Sequence, residues 1–159
     1  EEVNELVKYS GFPGMKVLAF AFDPSGKSGY LPHNYDRNSV VYTGTHDNET
    51  IIGWLDSITK EEKMMAREYM CDYKTAQKNL HWSMICMIMR SRANLSMIPM
   101  QDYLGLDNKA RLNQPSTVGK NWKWRVKEEQ LSEELKLQIR KLTKMYGRIN
   151  WQWDEKLDA

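Results

Sequence analysis

The chain has 159 residues, 41% of them hydrophobic and 28% charged, and a formal net charge of +2 at pH 7. This length is enough for one domain with a hydrophobic core, and the composition is that of an ordinary globular protein. The small net charge argues against nucleic acid or an anionic membrane as a partner, and no apolar run reaches the roughly 20 residues that a membrane helix needs.

The first predicted elements are a helix and a buried strand. Residues 1–9 have a helical pattern that Gly11 and Pro13 end. Because the first residue, Glu1, is not methionine and already lies in this helix, we expect the chain to begin inside a longer protein. Residues 16–22 are almost continuously apolar, which is typical of a strand that is buried on both faces of a parallel sheet.

A loop separates this strand from the next one. Residues 23–38 are rich in glycine, proline, serine and asparagine, which predicts a loop. Residues 40–43 are β-branched or aromatic and predict the second strand. Two helices are predicted to follow, one at residues 48–57 and one that has Thr59 as its N-cap.

The second half of the chain continues the alternation of helices and strands. Residues 73–92 predict a long apolar helix, residues 96–100 a third strand, and residues 101–130 a long loop. Residues 132–146 predict an amphipathic helix with Ser132 as its N-cap. This order predicts an α/β fold with a parallel sheet. Because three strands are too few for a doubly covered sheet, we expect a slice of a larger barrel.

The sequence also favours one cellular location. The two cysteines, Cys71 and Cys86, do not form a CxxC pattern, which favours a reducing environment. We find no signal peptide in the sequence. We therefore expect a cytoplasmic protein.

Three weaker candidates for a binding site are interpreted as structural. Residues 23–29 contain Gly-Lys-Ser after a strand, as in a phosphate-binding loop, but Ala21 stands where that pattern requires its first glycine. A solvated turn is the better interpretation. His33 and His81 are interpreted as structural, and the three histidines have no spacing typical of a zinc site. We therefore expect no metal and no other cofactor.

The segment at residues 121–127 interleaves two tryptophans with cationic residues. Such a patch can bind nucleic acid by stacking and phosphate contacts, although a single patch on a nearly neutral chain supports this weakly. Tryptophan can also stack on the apolar face of a sugar ring. A third interpretation, which we favour for at least one of Trp122 and Trp124, is packing in the core beneath the long loop.

The strongest candidate is the pair His46 and Asp47, which directly follows the second predicted strand. In a parallel α/β barrel, the residues that carry the chemistry lie where strands end and their loops begin. This position favours an active-site role for the pair. The alternative is that Asp47 caps the helix that follows.

Together these segments resemble the 4-alpha-glucanotransferases (amylomaltases) of glycoside hydrolase family 77. The resemblance rests on an ordered series of motifs and extends to about residue 148. The motifs are GFPGMKVL at residues 11–18, YLPHNY at 30–35, VYTGTHDN at 41–48, IPMQD at 98–102, ARLNQP at 110–115 and GKNWKWR at 119–125.

The resemblance implies a fold and an activity. Members of the family fold as (β/α)8 TIM barrels, so residues 1–148 are expected to be the C-terminal segment of the catalytic barrel, about strands six to eight, and residues 149–159 a C-terminal tail. The family transfers α-1,4-glucan segments between maltooligosaccharides, with glucose or maltose as acceptor, through a covalent intermediate and without a cofactor.

The resemblance also implies roles for individual residues. The family uses an Asp nucleophile, a Glu acid/base and an Asp that stabilises the transition state. Asp47 matches the third of these, His46 matches its substrate-binding neighbour, and Asn113 matches a position near the donor sugar. The nucleophile and the acid/base have no match in this chain. The alternative is therefore a non-catalytic fragment that binds α-glucans.

Overall fold

The computed structural model of the chain describes residues 2–152 and 154. Its strands are β1 (Gly14–Val17), β2 (Ser39–Tyr42) and β3 (Leu95–Met97). They form one sheet in the order β1-β2-β3, and both pairs are parallel, with Val40 opposite Met15 on one side and Leu95 on the other. The predicted α/β class and the parallel sheet are confirmed.

Helices precede, connect and follow the strands. They are α1 (Glu2–Ser10), α2 (Ile51–Ser57), α3 (Lys60–Met70), α4 (Leu80–Met89), α5 (Met100–Tyr103) and α6 (Glu133–Met145). The chain divides into two compact units, residues 1–125 with the sheet and the first five helices, and residues 126–159 with α6. Within the described part of the chain, no helix has the length and apolar character needed to cross a membrane.

Helix α4 packs against one face of the sheet. Ser39 and Val41 of β2 are buried on this face, and Ser96 of β3 donates from Oγ to the carbonyl oxygen of Ile88 in α4 at 3.3 Å. The buried side chains of α4 are Leu80, His81, Met84, Ile85, Met87, Ile88 and Met89. A helix that is buried on most of its surface needs an apolar sequence throughout, which explains the composition of this segment.

The opposite face of the sheet is apolar and in part exposed. Met15, Leu95 and Met97 lie on it and are 60%, 51% and 45% exposed, respectively. Single exposed apolar residues are common, but three on one short sheet form a continuous apolar surface. Val17 lies on the same face and is buried, so within the described residues this face is covered at the end of β1 and open around Met15, Leu95 and Met97.

The first strand is shorter than its sequence predicts. Strand β1 ends at Val17, and the next residues form a single 3-10 turn, in which the Ala21 N–H donates to the Leu18 carbonyl at 2.9 Å. Leu18, Ala21 and Phe22 are all buried. The apolar run thus reflects burial of a turn as well as of a strand, and hydrophobicity alone does not separate the two.

The long helix predicted at residues 73–92 begins later, at Leu80. The carboxylate of Asp72 accepts hydrogen bonds from the Thr75 N–H at 3.0 Å and from the Ser83 hydroxyl at 2.6 Å. These bonds hold the segment that starts at Asp72 in a turn, because an aspartate that binds nearby backbone competes with helix formation. The helix prediction was wrong for residues 73–79.

Two predicted N-caps are confirmed. Thr59 accepts the Glu62 N–H at 3.2 Å, and Glu62 Oε2 accepts the Thr59 N–H at 2.8 Å, which completes a capping box at the start of α3. Ser132 accepts the Leu135 N–H at 3.2 Å at the start of α6. Both caps satisfy backbone donors that the helices themselves leave unpaired.

In the second unit, α6 binds a residue of the C-terminal segment. Asp154 is buried and accepts a hydrogen bond from Arg140 Nε at 2.6 Å, and Lys144 also donates to its carboxylate. The pairing of a buried carboxylate with two cations offsets the cost of its desolvation. Residue 153 and residues 155–159 of the predicted tail lie outside the described residues.

The exposed sheet face makes the isolated chain prone to self-association. We expect the 159-residue chain to form oligomers, because an apolar face and the two strands at the edges of the described sheet meet water. Replacing both Leu95 and Met97 by lysine should lower the oligomer fraction several-fold without loss of helix content. Sedimentation velocity and circular dichroism measure the two quantities.

The matched control is Val41→Lys on the buried face, which should unfold the chain. A wild-type chain that sediments as a monomer and unfolds in one sharp thermal transition would contradict this prediction.

Candidate active site

His46 and Asp47 lie in the segment that connects β2 to α2, at the C-terminal edge of the sheet. His46 Nε2 is 3.3 Å from Asp47 Oδ1, and the two side chains are 55% and 47% exposed. Two polar side chains in contact with each other and half exposed to solvent are available to a ligand. Their position at a strand's C-terminal end is the one that the sequence predicts.

The turn that carries this pair is fixed by Asn48. Its Oδ1 accepts both the backbone N–H and the hydroxyl of Thr45, each at 2.8 Å, and its own N–H donates to the Thr45 carbonyl at 3.1 Å. Asparagine stabilises such turns because its side chain replaces a backbone partner. His46 and Asp47 are thereby presented at the tip of a closed turn.

The helix after this turn is capped by Thr50 and not by Asp47. Thr50 is the N-cap of α2, and its Oγ1 accepts the Gly53 N–H at 3.1 Å. The interpretation of Asp47 as a helix cap is therefore excluded, and its carboxylate remains available for another role.

Asn113 comes from a distant part of the chain and contacts both residues of the pair. Its Nδ2 donates to Asp47 Oδ1 at 2.6 Å, and its backbone N–H donates to the His46 carbonyl at 3.1 Å. The structure thus brings together the three residues that the sequence singled out, Asp47, His46 and Asn113. A hydrogen bond from a neutral amide orients the Asp47 carboxylate without adding an opposite charge beside it.

Arg111 holds the same residues through their backbone. One terminal nitrogen of its guanidinium donates to the Asp47 carbonyl at 2.6 Å, and its Nε donates to the Asn113 carbonyl at 2.9 Å. The guanidinium therefore links the two segments of the site without pairing with the Asp47 carboxylate in these bonds. Sequence reasoning did not identify this role, because a lone arginine in a loop gives no signal of its partners.

Asp102 joins the beginning and the end of the segment that carries the pair. It is only 2% exposed, and it accepts the Thr43 hydroxyl at 2.5 Å and the Ile51 N–H at 2.8 Å. Burial raises the pKa of Asp102 to about 6, and the hydrogen bonds from Thr43 and Ile51 oppose this rise. One carboxylate therefore fixes the span of the whole loop between β2 and α2.

Gln101 holds the other segment of the site. Its side chain is buried, and its Nε2 donates to the Ala110 carbonyl at 3.2 Å, directly before Arg111. Two consecutive residues after β3 thus anchor the two segments of the site. Asp102 anchors the segment that carries Asp47, and Gln101 anchors the segment that carries Asn113. Both residues lie in the motif at residues 98–102, which does not reveal their partners.

Both carboxylate oxygens of Glu49 accept hydrogen bonds from neutral donors. Asn108 Nδ2 donates to its Oε1 at 2.6 Å and the Ser57 hydroxyl donates to its Oε2 at 2.8 Å. Asn108 lies so close to the backbone of Gly53 that a Cβ there would be 2.0 Å from Asn108 Oδ1. The glycine is therefore required for this contact.

Trp122 lies beside the pair. The centroid of its ring is 5.3 Å from that of His46, at an interplanar angle of 37°. Its backbone N–H donates to the Leu112 carbonyl at 2.7 Å, and 53% of the residue is exposed. Packing in the core, one of the predicted roles for the tryptophans at residues 121–127, is therefore wrong for Trp122.

The weaker sequence candidates have local structural partners. In the Gly-Lys-Ser loop, the Gly26 N–H donates to the Asp23 carbonyl at 2.9 Å, which closes a turn. His33 Nδ1 is 3.0 Å from the Tyr69 hydroxyl. His81 is buried with its Nδ1 3.1 Å from the Lys78 carbonyl, and burial lowers its pKa. Among residues 2–152 and 154, no group of three or more His, Cys, Asp or Glu side chains is placed to bind a metal.

Residues 1–132 match the family model of glycoside hydrolase family 77, which is described as 4-alpha-glucanotransferase. The chain belongs to this family. It is 47% identical over 150 residues to a 4-alpha-glucanotransferase of Clostridium butyricum, and the match covers 93% of this chain and 30% of that protein. A 4-alpha-glucanotransferase of Thermus thermophilus is 39% identical over 153 residues, which are 93% of this chain and 31% of that protein.

A solved structure has the same fold over this segment. The amylomaltase from Streptococcus agalactiae in complex with acarbose superimposes with a TM-score of 0.89 at 37% identity, and the match covers 94% of this chain and 30% of that one. The structure described here is therefore an α/β part of the amylomaltase fold that contains three parallel strands. The chain spans about 30% of the length of these relatives.

The buried carboxylate of Asp102 makes stability depend on pH. The pKa of Asp102 is about 6 in the folded chain against an ordinary value of 3.8. The folded state therefore holds the proton more tightly, and the resulting stabilisation is complete below about pH 4 and lost as the pH rises through about 6. Relative to Asp102→Asn, which does not titrate, the wild type should lose on the order of 2–3 kcal/mol of unfolding free energy across this range.

Asparagine suits this comparison because it can keep both hydrogen bonds, with its Oδ1 accepting from Ile51 and its Nδ2 donating to the Thr43 hydroxyl oxygen. Urea denaturation between pH 4 and pH 7 measures the difference. Asp102→Ala, which leaves both partners buried and unpaired, should be destabilised at every pH. Parallel pH profiles for the wild type and Asp102→Asn would refute the prediction.

Proposed function

We propose that this chain forms the C-terminal portion, about strands six to eight, of the (β/α)8 barrel of a cytoplasmic 4-alpha-glucanotransferase. Residues 1–148 supply the barrel segment and residues 149–159 a tail. The whole protein transfers α-1,4-glucan segments between maltooligosaccharides by a retaining double displacement. Glucose or maltose serves as acceptor.

The observation that carries this proposal is the exposure of the Asp47 carboxylate and the set of residues that contact it. It is half exposed at the C-terminal edge of a parallel sheet, oriented by a neutral amide and not neutralised by the nearby arginine. The described side-chain contacts of Asp47 with Asn113 and His46 both fall on Oδ1. Its Oδ2 is then the atom that accepts hydrogen bonds from sugar hydroxyls.

The proposed role of Asp47 follows from the chemistry of the reaction. Cleavage of a glycosidic bond passes through a transition state with oxocarbenium character, so positive charge develops at the anomeric carbon. A fixed, ionised carboxylate stabilises this charge more than it stabilises the neutral ground state. Its hydrogen bonds with sugar hydroxyls also strengthen, because these hydroxyls become more acidic as charge develops.

His46 and Asn113 are proposed to bind the substrate. The His46 ring contacts Asp47 and is exposed, so its N–H can donate to a hydroxyl beside the one that Asp47 accepts. The Asn113 amide orients Asp47 and lies at the same edge of the site. Together the two side chains would fix the sugar ring against the carboxylate, and none of these roles requires a cofactor.

The nucleophile and the acid/base are proposed to come from outside this chain. A retaining mechanism needs two carboxyl groups about 5–5.5 Å apart. The described side chains that contact Asp47, those of His46, Thr45, Arg111 and Asn113, include no carboxylate. Asp102 is buried under the loop, and both oxygens of Glu49 are bound by other residues.

This arrangement gives a second candidate function, an α-glucan-binding fragment without catalysis. We expect the 159-residue chain alone to leave maltotriose unchanged, because both partners of the double displacement are missing. Chromatography of the reaction should show neither glucose nor longer oligomers. Turnover that persists after repeated purification would refute the assignment of the missing carboxylates to another part of the protein.

Asp47→Asn in the whole protein tests the catalytic role. Asparagine keeps the shape and can still accept from Asn113, but it removes the charge. The loss of a preorganised electrostatic contact costs roughly 3–4 kcal/mol, or 10²–10³ in rate. The loss should fall on kcat with KM nearly unchanged, because the ground-state sugar is neutral. Steady-state kinetics with maltotriose measures both constants.

The free energy of unfolding is the control for this variant. Since Thr50 caps α2, it should change by less than about 0.5 kcal/mol. A variant that keeps more than about a tenth of the wild-type kcat, a loss of less than roughly 1.4 kcal/mol, would remove Asp47 from the catalytic residues.

A further inference from the structure

The backbone of Trp122 has an unusual conformation. Its φ is +62°, in the left-handed region that bulky residues rarely adopt. Such a strained conformation persists only where the surrounding structure enforces it, and it is often found at functional sites. The strain at Trp122 places an indole directly beside His46.

Hydrogen bonds within the loop of residues 112–122 hold Trp122 in this conformation. Its ends are close, since the Trp122 N–H donates to the Leu112 carbonyl at 2.7 Å. Inside the loop, Asn121 Oδ1 accepts the Gln114 N–H at 3.0 Å, and Asn121 Nδ2 donates to the Thr117 carbonyl at 3.1 Å. A residue whose neighbours over-determine its strained backbone is held rigidly.

Packing against other residues does not bury the Trp122 side chain. About half of Trp122 is exposed, as are the side chains of His46 and Asp47. The three form one continuous surface on which an apolar, aromatic face borders a hydrogen-bond donor and a carboxylate. A glucose ring has the matching chemistry, because its C–H faces are apolar and its rim carries hydroxyls.

The same surface suits a nucleic acid poorly. The nearest anionic group, the Asp47 carboxylate, would repel a phosphate. Arg125, the arginine of this segment, donates to the carbonyls of Trp122 and Trp124 at 2.8 and 2.7 Å. The cations of this segment are thus used in part for its own backbone, and phosphate contacts dominate nucleic-acid affinity.

We propose that Trp122 is a glucan-binding residue that stacks on the glucose unit next to the one held by Asp47 and His46. This inference rests on the proposed function and adds to it a neighbouring sugar-binding position. The strained backbone fixes the indole before the sugar arrives, so binding costs little ordering of the loop.

The first test compares Trp122→Gly with Trp122→Phe in the whole protein. Glycine removes the ring and also relieves the positive φ, so stability should not fall. The KM for maltotriose should rise roughly 10- to 100-fold with kcat changed less than about threefold, because a stacking contact that forms in both the ground state and the transition state affects KM. Phenylalanine keeps an aromatic face and should raise KM less than about fivefold.

Trp151→Gly is the matched control, because Trp151 is equally exposed, at 53%, and belongs to the other unit. Its KM should equal that of the wild type. An unchanged KM in Trp122→Gly, or an equal rise in both glycine variants, would overturn the proposal. Absence of any transfer by the wild type would instead refute the proposed function.

A double-mutant cycle separates stacking on the sugar from support of the His46 ring. If Trp122 touches the sugar, Trp122→Gly should still raise KM in a His46→Ala background. If Trp122 only orients His46, the second substitution will have no further effect, and the proposal fails. It also fails if a labelled single-stranded oligonucleotide binds the protein with strong salt dependence and Trp122→Gly abolishes this binding.

Discussion

The buried carboxylate of Asp102 is the interaction on which the candidate site depends. It ties Thr43, the residue that follows β2, to Ile51, the first residue of α2, so the loop between them has a fixed span. A charge buried to this degree is costly unless donors surround it, and here a hydroxyl and a backbone N–H do so. The neighbouring Gln101 donates to the Ala110 carbonyl and so holds the segment that carries Arg111 and Asn113.

The bonds that hold the two segments of the site together do not pair the Asp47 carboxylate with a cation. The backbone carbonyls of Asp47 and Asn113 accept hydrogen bonds from Arg111, and the neutral amide of Asn113 orients the exposed carboxylate of Asp47. In these bonds the guanidinium of Arg111 does not pair with the Asp47 carboxylate, and the carboxylate and the His46 ring both stay exposed. A preorganised carboxylate of this kind stabilises developing positive charge without any rearrangement during the reaction.

Sequence reasoning succeeded where the physical signal is local. The cap of α6 at Ser132 and the polar cluster after β2 can be read from a few neighbouring residues, and both are found as expected. It failed where a distant partner decides the outcome. The turn at Asp72 shortens a helix through Ser83, and the roles of Asp102 and Arg111 depend on residues more than 50 positions away.

The order in which the site can form follows from the spacing of its parts along the chain. Asp47 and the Asn113 amide that orients it are 66 positions apart. A ribosome adds roughly 5–20 residues per second, so the loop with Asp47 exists for several seconds before its partner is synthesised. Contacts that close such long segments form after local ones, because the entropy of the intervening chain must be lost first. The candidate site is therefore a late product of folding, assembled after the helices and turns that frame it.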